Sequence, residues 1–312
     1  MRIIVTGGAG FIGSHVADAY VAEGHEVMVI DNLSSGKKEN VPAAARFVLC
    51  DVTSDTAVEA VRTFRPEIVN HHAAQINVRA SVADPQFDAQ VNILGTIRLL
   101  EASKQFGVRK FLFASSGGAG YGEQERFPAE ENHPIRPVSP YGAAKMSVEL
   151  YMNYYRVQYG LEYTALRYAN VYGPRQDSHG EAGVVAIFAE RLLRKQTAIV
   201  NGDGEQTRDF VYVGDVVRAN VVALSRGDGM SINIGTGVET DINTVFRVLR
   251  DLSGSRQEEI HGPAMPGEQR RSCLEILMAS VELGWYPETP LEEGLARTLD
   301  FFREKNRNTD KW

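Results

Sequence analysis

The chain has 312 residues and a formal net charge of -7, with both signs spread along its length. That length supports a sizeable core and suits one large α/β domain or two coupled ones. The charge balance argues against a nucleic-acid binder, which carries a basic stripe, and no apolar run approaches the ~20 residues that span a bilayer.

RIIVTGG (2–8) reads as a short β-branched strand ending in glycines, and SHVADAYVAEG (14–24) follows with helical periodicity. HEVMVIDN (25–32), ARFVLCD (45–51), EIVNHHAA (67–74), KFLFASS (110–116) and EYTALRYAN (162–170) continue the strand series. TAVEAVRTF (56–64), a stretch over 88–107 and another over 139–160 read as the helices between them. This alternation predicts a doubly wound parallel sheet, with ligands at the carboxyl ends of its strands. Beyond residue 173 the pattern loosens. TRDFVY and SINI read as strands, and GDVVRA, residues 241–254 and residues 291–305 as helices. The expected division is a dinucleotide-binding domain over 1–172, with segments near 208–236 crossing back, and a smaller α/β substrate domain over 173–312.

The chain opens on a strand-like run, so no leader is expected, and Cys50 and Cys273 stand far apart without metal or disulfide spacing. The expected compartment is the cytoplasm, where thiols stay reduced. His71 and His72 are adjacent, but a strand points neighbours to opposite faces, so no metal site is expected.

Between the first strand and first helix lies TGGAGFIG, which contains G-x-G-x-x-G as Gly8, Gly10 and Gly13. Such glycines allow a tight turn and let backbone amides approach a pyrophosphate at a helix N-terminus. Asp31 ends the second strand, where an acid binds the adenosine ribose and disfavours a 2′-phosphate; NAD is expected over NADP. Asp51 ends the third strand, either to contact the adenine or to cap the next helix.

SPYGAAK (139–145) reads as a helix start, with Ser139 as N-cap and Pro140 in the first turn. Tyr141 and Lys145 then share a face. A lysine cation beside the phenol favours the phenolate, so the pair suits acid–base work on a hydroxyl. Alternatively, Lys145 pairs with Glu149 as a solvated salt bridge.

Together these stretches, with DNLSSGKKEN, HHAAQ, NILGT, RYANVYGPRQ, GDGEQTRDFVYVGDV, NIGTG and ELGW, resemble the extended short-chain dehydrogenase/reductase superfamily end to end. Within it the chain is most similar to the UDP-glucose 4-epimerases. The resemblance implies a Rossmann-type domain holding NAD, a nucleotide-sugar domain, a UDP-sugar substrate and a homodimer built on paired helices. It implies that Tyr141 is the acid–base, that Lys145 holds the ribose and lowers the tyrosine pKa, and that a strand-end hydroxyl binds the sugar 4-oxygen. Counted from Phe113, that hydroxyl is Ser116, with Ser115 the fallback; Tyr121 is expected to pack or to touch sugar. The implied NAD contacts are Gly7, Gly10, Phe11, Ile12, Gly13, Asp31, Asn32, Ser35, Gly36, Asp51, Val52, His72, Ala73, Ala74, Gln75, Asn92, Ser115, Tyr141, Lys145 and Tyr168. The implied substrate contacts are Ser116, Tyr141, Asn170, Arg208, Glu268 and Ser272.

Related 4,6-dehydratases carry an acid pair just before the residue matching Tyr121; here stand Gly118, Ala119 and Gly120. Without a base for C5, epimerisation at C4 is expected. Asn201 and Met265 replace an aromatic and an arginine of the family, with Arg270 or Arg271 as candidate replacements for the lost phosphate contact. A small residue at Ser272 would admit N-acetylated sugars. UDP-N-acetylhexosamine or UDP-uronic acid epimerisation and 4-keto-sugar reduction remain the alternatives, as does a non-catalytic NAD-binding regulator.

Overall fold

The computed structural model describes residues 1–178, 183–265 and 269–309. Its strands are β1 (Arg2–Thr6), β2 (Glu26–Asp31), β3 (Arg46–Leu49), β4 (Ile68–His71), β5 (Lys110–Ser116), β6 (Glu162–Tyr168), β7 (Asn170–Tyr172), β8 (Ile199–Asn201), β9 (Thr207–Tyr212), β10 (Met230–Ile234), β11 (Glu239–Asp241) and β12 (Ile260–Gly262). Its α-helices are α1 (Phe11–Ala22), α2 (Asp55–Phe64), α3 (Val78–Ala83), α4 (Pro85–Ala89), α5 (Gly95–Phe106), α6 (Gly117–Tyr121), α7 (Pro140–Tyr159), α8 (Val184–Leu193), α9 (Val213–Ala223), α10 (Ile242–Ser253) and α11 (Leu291–Thr309).

The main sheet has seven parallel strands in the order β10-β6-β5-β4-β1-β2-β3. This is the expected doubly wound α/β sheet. Strand order reverses between β1 and β4, the point where such sheets bind ligands. Because side chains alternate along each strand, Ile3 and Val5 pack with α1 and α9, while Ile4 packs with α2, α5 and α7. A third core lies outside the sheet, where Phe188, Phe246 and Leu295 join α8, α10 and α11.

The helix starts follow their side chains. Ser54 Oγ accepts from Ala57 N at 3.4 Å to begin α2, and Ser139 Oγ accepts from Gly142 N at 3.1 Å to begin α7. Gly107 and Gly160 end α5 and α7 in the left-handed conformation. Two features depart from the sequence reading. The periodic stretch 88–107 is broken by a π-helical turn at Gln90–Leu94, and the glycines after Ser116 form the short helix α6. Ser116 Oγ caps α6 by accepting from Ala119 N at 3.2 Å.

Candidate active site

Two cavities open at the carboxyl ends of the main strands. The first, about 460 Å³, is lined from turns after β1, β2, β3 and β4 and from the ends of β5 and β6. The second, about 560 Å³, is lined by α3, by the region around α6 and by Asn170, Arg208 and Gln269. Tyr141 and Tyr168 line both, so the cavities meet at these two rings.

The glycine loop forms the first wall. Gly7 turns at φ +66°, and a Cβ there would lie 2.6 Å from Ala73 N. A Cβ on Gly13 would lie 2.3 Å from Gly7 O. The working glycines are therefore Gly7, Gly10 and Gly13, all in the lining, whereas Gly8 backs onto the Val29 side chain. The G-x-G-x-x-G spacing begins at Gly8, but the glycines expected to contact the cofactor, Gly7, Gly10 and Gly13, are the ones in the lining. Gly10 gives α1 no side-chain cap, so its first amides face the cavity at Phe11, Ile12 and Gly13.

Asp31 is buried and accepts from Ala9 N at 2.9 Å and Leu33 N at 2.8 Å, which ties the glycine loop to β2. It still lines the cavity with Asn32, Ser35, Asp51 and Val52. Burial alone would raise Asp51, but hydrogen bonds from Thr53 and Asn32 overcome it and hold the carboxyl below its usual range. His72, Ala73, Ala74 and Gln75 follow β4 in the lining, and the His72 ring stacks on Tyr168 with centroids 6.3 Å apart. His71 is buried between Thr6 Oγ1 at 2.6 Å and Thr96 Oγ1 at 2.9 Å. Burial holds both histidines neutral, His72 down to about 3. Among the described residues no group of acids, histidines and cysteines could hold a metal. Gly36 and Asn92 do not line the cavity. Gly36 packs against Ala9, and Asn92 bonds the Gln75 main chain from behind through both N and O, at 2.9 Å each.

At the meeting point, α7 presents Tyr141 half-buried and Lys145 buried. Lys145 Nζ donates to Ala114 O at 2.8 Å and lies 4.6 Å from the Phe113 ring centre. Burial pulls Lys145 down to about 8, against the Asp88 and Glu149 carboxylates. Burial pushes the Tyr141 phenol well above its ordinary range, and Asp88 adds to the rise. A tyrosine lowered by Lys145 was the expectation; in this geometry burial and the Asp88 carboxylate raise it instead.

Glu149 is no surface partner of Lys145. It is buried, accepts from Arg167 Nη2 at 2.6 Å and from Arg167 Nε at 3.1 Å, and takes Ser115 Oγ at 2.5 Å and Ser231 Oγ at 2.7 Å. The two serines thus diverge: Ser115 is tethered to a carboxylate on the first-cavity side, and Ser116 lines the second cavity. Tyr121 is fully buried; it donates to Asn233 Oδ1 at 2.8 Å and accepts from Arg167 Nη1 at 2.9 Å.

On the second wall Asn170 and Arg208 face the cavity. Ser272 is not in its lining; it is buried next to the lining residue Gly118, where a Cβ would come 3.6 Å from Ser272 Oγ. Glu268 lies outside the described residues. Arg270 pairs with Asp203 and Glu205, and Arg271 with Glu239, so neither stands as a spare phosphate ligand. Sequence reasoning missed Val78, Val82 and Gln269 on this wall. Exposed valines in a six-residue helix were a usable signal; Gln269 gave none.

Residues 3–235 match the model of the NAD dependent epimerase/dehydratase family. The chain is 47% identical over 314 residues to a UDP-glucose 4-epimerase of Mycolicibacterium smegmatis, covering 98% of this chain and 100% of that one. It superposes on a UDP-glucose 4-epimerase of Thermotoga maritima solved with UDP-glucose, at TM-score 0.96 and 50% identity, over 98% and 100% of the two chains. It superposes equally well in kind on the Thermus thermophilus UDP-glucose 4-epimerase complex with NAD, at TM-score 0.91 and 47% identity, over 97% and 99%.

Proposed function

The chain belongs to the NAD dependent epimerase/dehydratase family, and we propose that it interconverts UDP-galactose and UDP-glucose by inverting C4 through a transient 4-keto sugar. The observation that carries this reading is the junction of two cavities at Tyr141. The first suits NAD: bare α1 amides suit a pyrophosphate, glycines give the backbone clearance, and Asp31 suits the ribose hydroxyls. The second suits the UDP-sugar, with Asn170 and Arg208 toward the diphosphate; a guanidinium fork holds two oxygens at once. All lining residues of the first cavity lie at or before Tyr168. This supports a cofactor half over 1–172, with β10 crossing back into the main sheet, while the sugar cavity is shared: Arg208 and Gln269 come from the later half and the rest of its lining from the first.

NAD, when bound, supplies a reversible two-electron acceptor for the sugar C4. Tyr141 takes the 4-hydroxyl proton as the ketone forms and returns it afterwards. Lys145, anchored on Ala114 O, is an ammonium below about pH 8, and a cation there favours the phenolate as the proton leaves. Ser116, on the sugar side of the junction, hydrogen-bonds the 4-oxygen. No base stands near C5 from α6: it carries Gly118, Ala119 and Gly120, and a Cβ at Gly120 would lie 2.5 Å from Met146 Cε. That favours epimerisation over dehydration.

The working form is read as a cytoplasmic homodimer. Leu150, Tyr151, Tyr154 and Val157 expose an apolar stripe along α7, which suits a second copy of this helix face. No described helix is long and apolar enough to cross a membrane. The test is to supply UDP-galactose without added NAD and assay UDP-glucose, with UDP-N-acetylgalactosamine in parallel. UDP-glucose formation is the expected result; no turnover of UDP-galactose, even with NAD added, rejects the reading.

A further inference from the structure

Asp88, the fourth residue of α4, is 1% exposed. Its Oδ1 accepts from Gln75 Nε2 and Asn92 Nδ2, each at 3.0 Å. Its Oδ2 is buried and has no partner. A half-satisfied buried carboxylate is costly, and folds keep one only where a nearby charge offsets it. The π-helical turn at Gln90–Leu94 builds this arrangement, because it brings the Asn92 amide onto both the Gln75 main chain and Asp88.

We propose that Asp88 is a positioning residue for the reaction: the counter-charge that keeps Lys145 an ammonium behind Tyr141. This rests on the roles given to Tyr141 and Lys145 above. The charged surroundings of Lys145 single Asp88 out. Glu149, on its own helix, is bound by Arg167 of β6 and raises Lys145 less than Asp88 does. His71 and His72 of β4 are held neutral, and the Tyr168 phenol of β6 is pushed up by burial. Lys145 itself donates to Ala114 O on β5, beside Ser115 and the Phe113 ring. Of the two carboxylates Asp88 alone has no cation bound to it, and α4, which carries it, packs against α7, which carries Lys145 and Tyr141. Burial raises the Asp88 carboxyl, the Lys145 cation opposes that rise, and the Asp88 field in turn acts on both Lys145 and Tyr141.

Asp88→Asn is a clean probe, since an amide oxygen at Oδ1 keeps both accepted bonds and Oδ2 has no donor to lose. The direct readout is a 13Cε-lysine NMR titration, with Lys145 assigned by the peak lost in Lys145→Met. In Asp88→Asn the Lys145 titration should fall by about one unit. The alkaline limb of the epimerase pH profile should move down with it, while KM for UDP-galactose stays put. The reciprocal measurement needs no change at Asp88: in Lys145→Met the Asp88 carboxyl should titrate higher by a similar amount. Unmoved titrations in both experiments overturn the proposal, as does an Asp88→Asn protein that melts lower with its profile in place. A wild-type protein inactive on UDP-galactose would sink the functional reading, while the two titrations would still decide the coupling.

Discussion

The two cavities are built on different principles. The first is anchored on the glycine loop and the strand ends, where the backbone is closely packed, and its lining runs from Gly7 to Tyr168. The second draws its lining from α3, α6, β7 and β9 and from the chain near Gln269. A backbone-built wall tolerates little: a single added methyl at Gly7 or Gly13 meets main chain. A side-chain wall can change its ligand by substitution while the scaffold stays still. On the proposed assignment the cofactor end is held by close-packed backbone at the glycine loop and the sugar end is open to substitution, with Tyr141 at the boundary.

Substitutions can break that contrast or sharpen it. Tyr141→Phe, at the boundary, should lower kcat by about 10²–10⁴-fold while bound NAD is retained; steady-state kinetics and cofactor content after purification check it. Ser116→Ala should cost about 10²-fold in kcat, as the loss of a hydrogen bond to the reacting oxygen does. Ser115→Ala should instead lower stability by about 1.5–3 kcal/mol, because it releases a bond to a buried carboxylate. Denaturant melts and kinetics on both variants decide between the serines, and the reverse pattern would move the role to Ser115. Gly13→Ala should destabilise by about 1–3 kcal/mol and purify with less NAD, since its Cβ would sit 2.3 Å from Gly7 O. Arg208→Lys, on the adjustable wall, should raise KM for the UDP-sugar about tenfold with kcat nearly unchanged, because a point charge replaces a fork.

What the sequence made legible follows the same divide. The first six strands and the helix over 139–160 read directly, because β-branched runs, caps and terminal glycines are local signals. The glycine loop was legible, with Gly7, Gly10 and Gly13 expected at the cofactor, but only the fold shows that Gly7 makes the left-handed turn against Ala73. The π-helical turn at Gln90–Leu94 was hidden by unbroken helical periodicity, and with it the Asn92–Asp88 clamp. Helix α8 and the three-residue strands β7, β8, β11 and β12 gave too little pattern to mark. Glu149 read as a surface partner for Lys145 because spacing four apart says nothing of burial; it is β6 that brings Arg167 to it. Ser272 was placed by counting along the chain, and the fold sets it buried beside Gly118, a residue of the second wall.

The central claim is that the C4 hydrogen leaves to a retained acceptor and returns to the same carbon, with Tyr141 as the base and no base at C5. The most direct measurement follows UDP-[4-²H]galactose in ordinary water, and unlabelled UDP-galactose in D₂O, by NMR of the product. The account predicts UDP-glucose that keeps its deuterium at C4 in the first experiment and gains none at C4 or C5 in the second. Washout from C4, or solvent deuterium at C5, would contradict it.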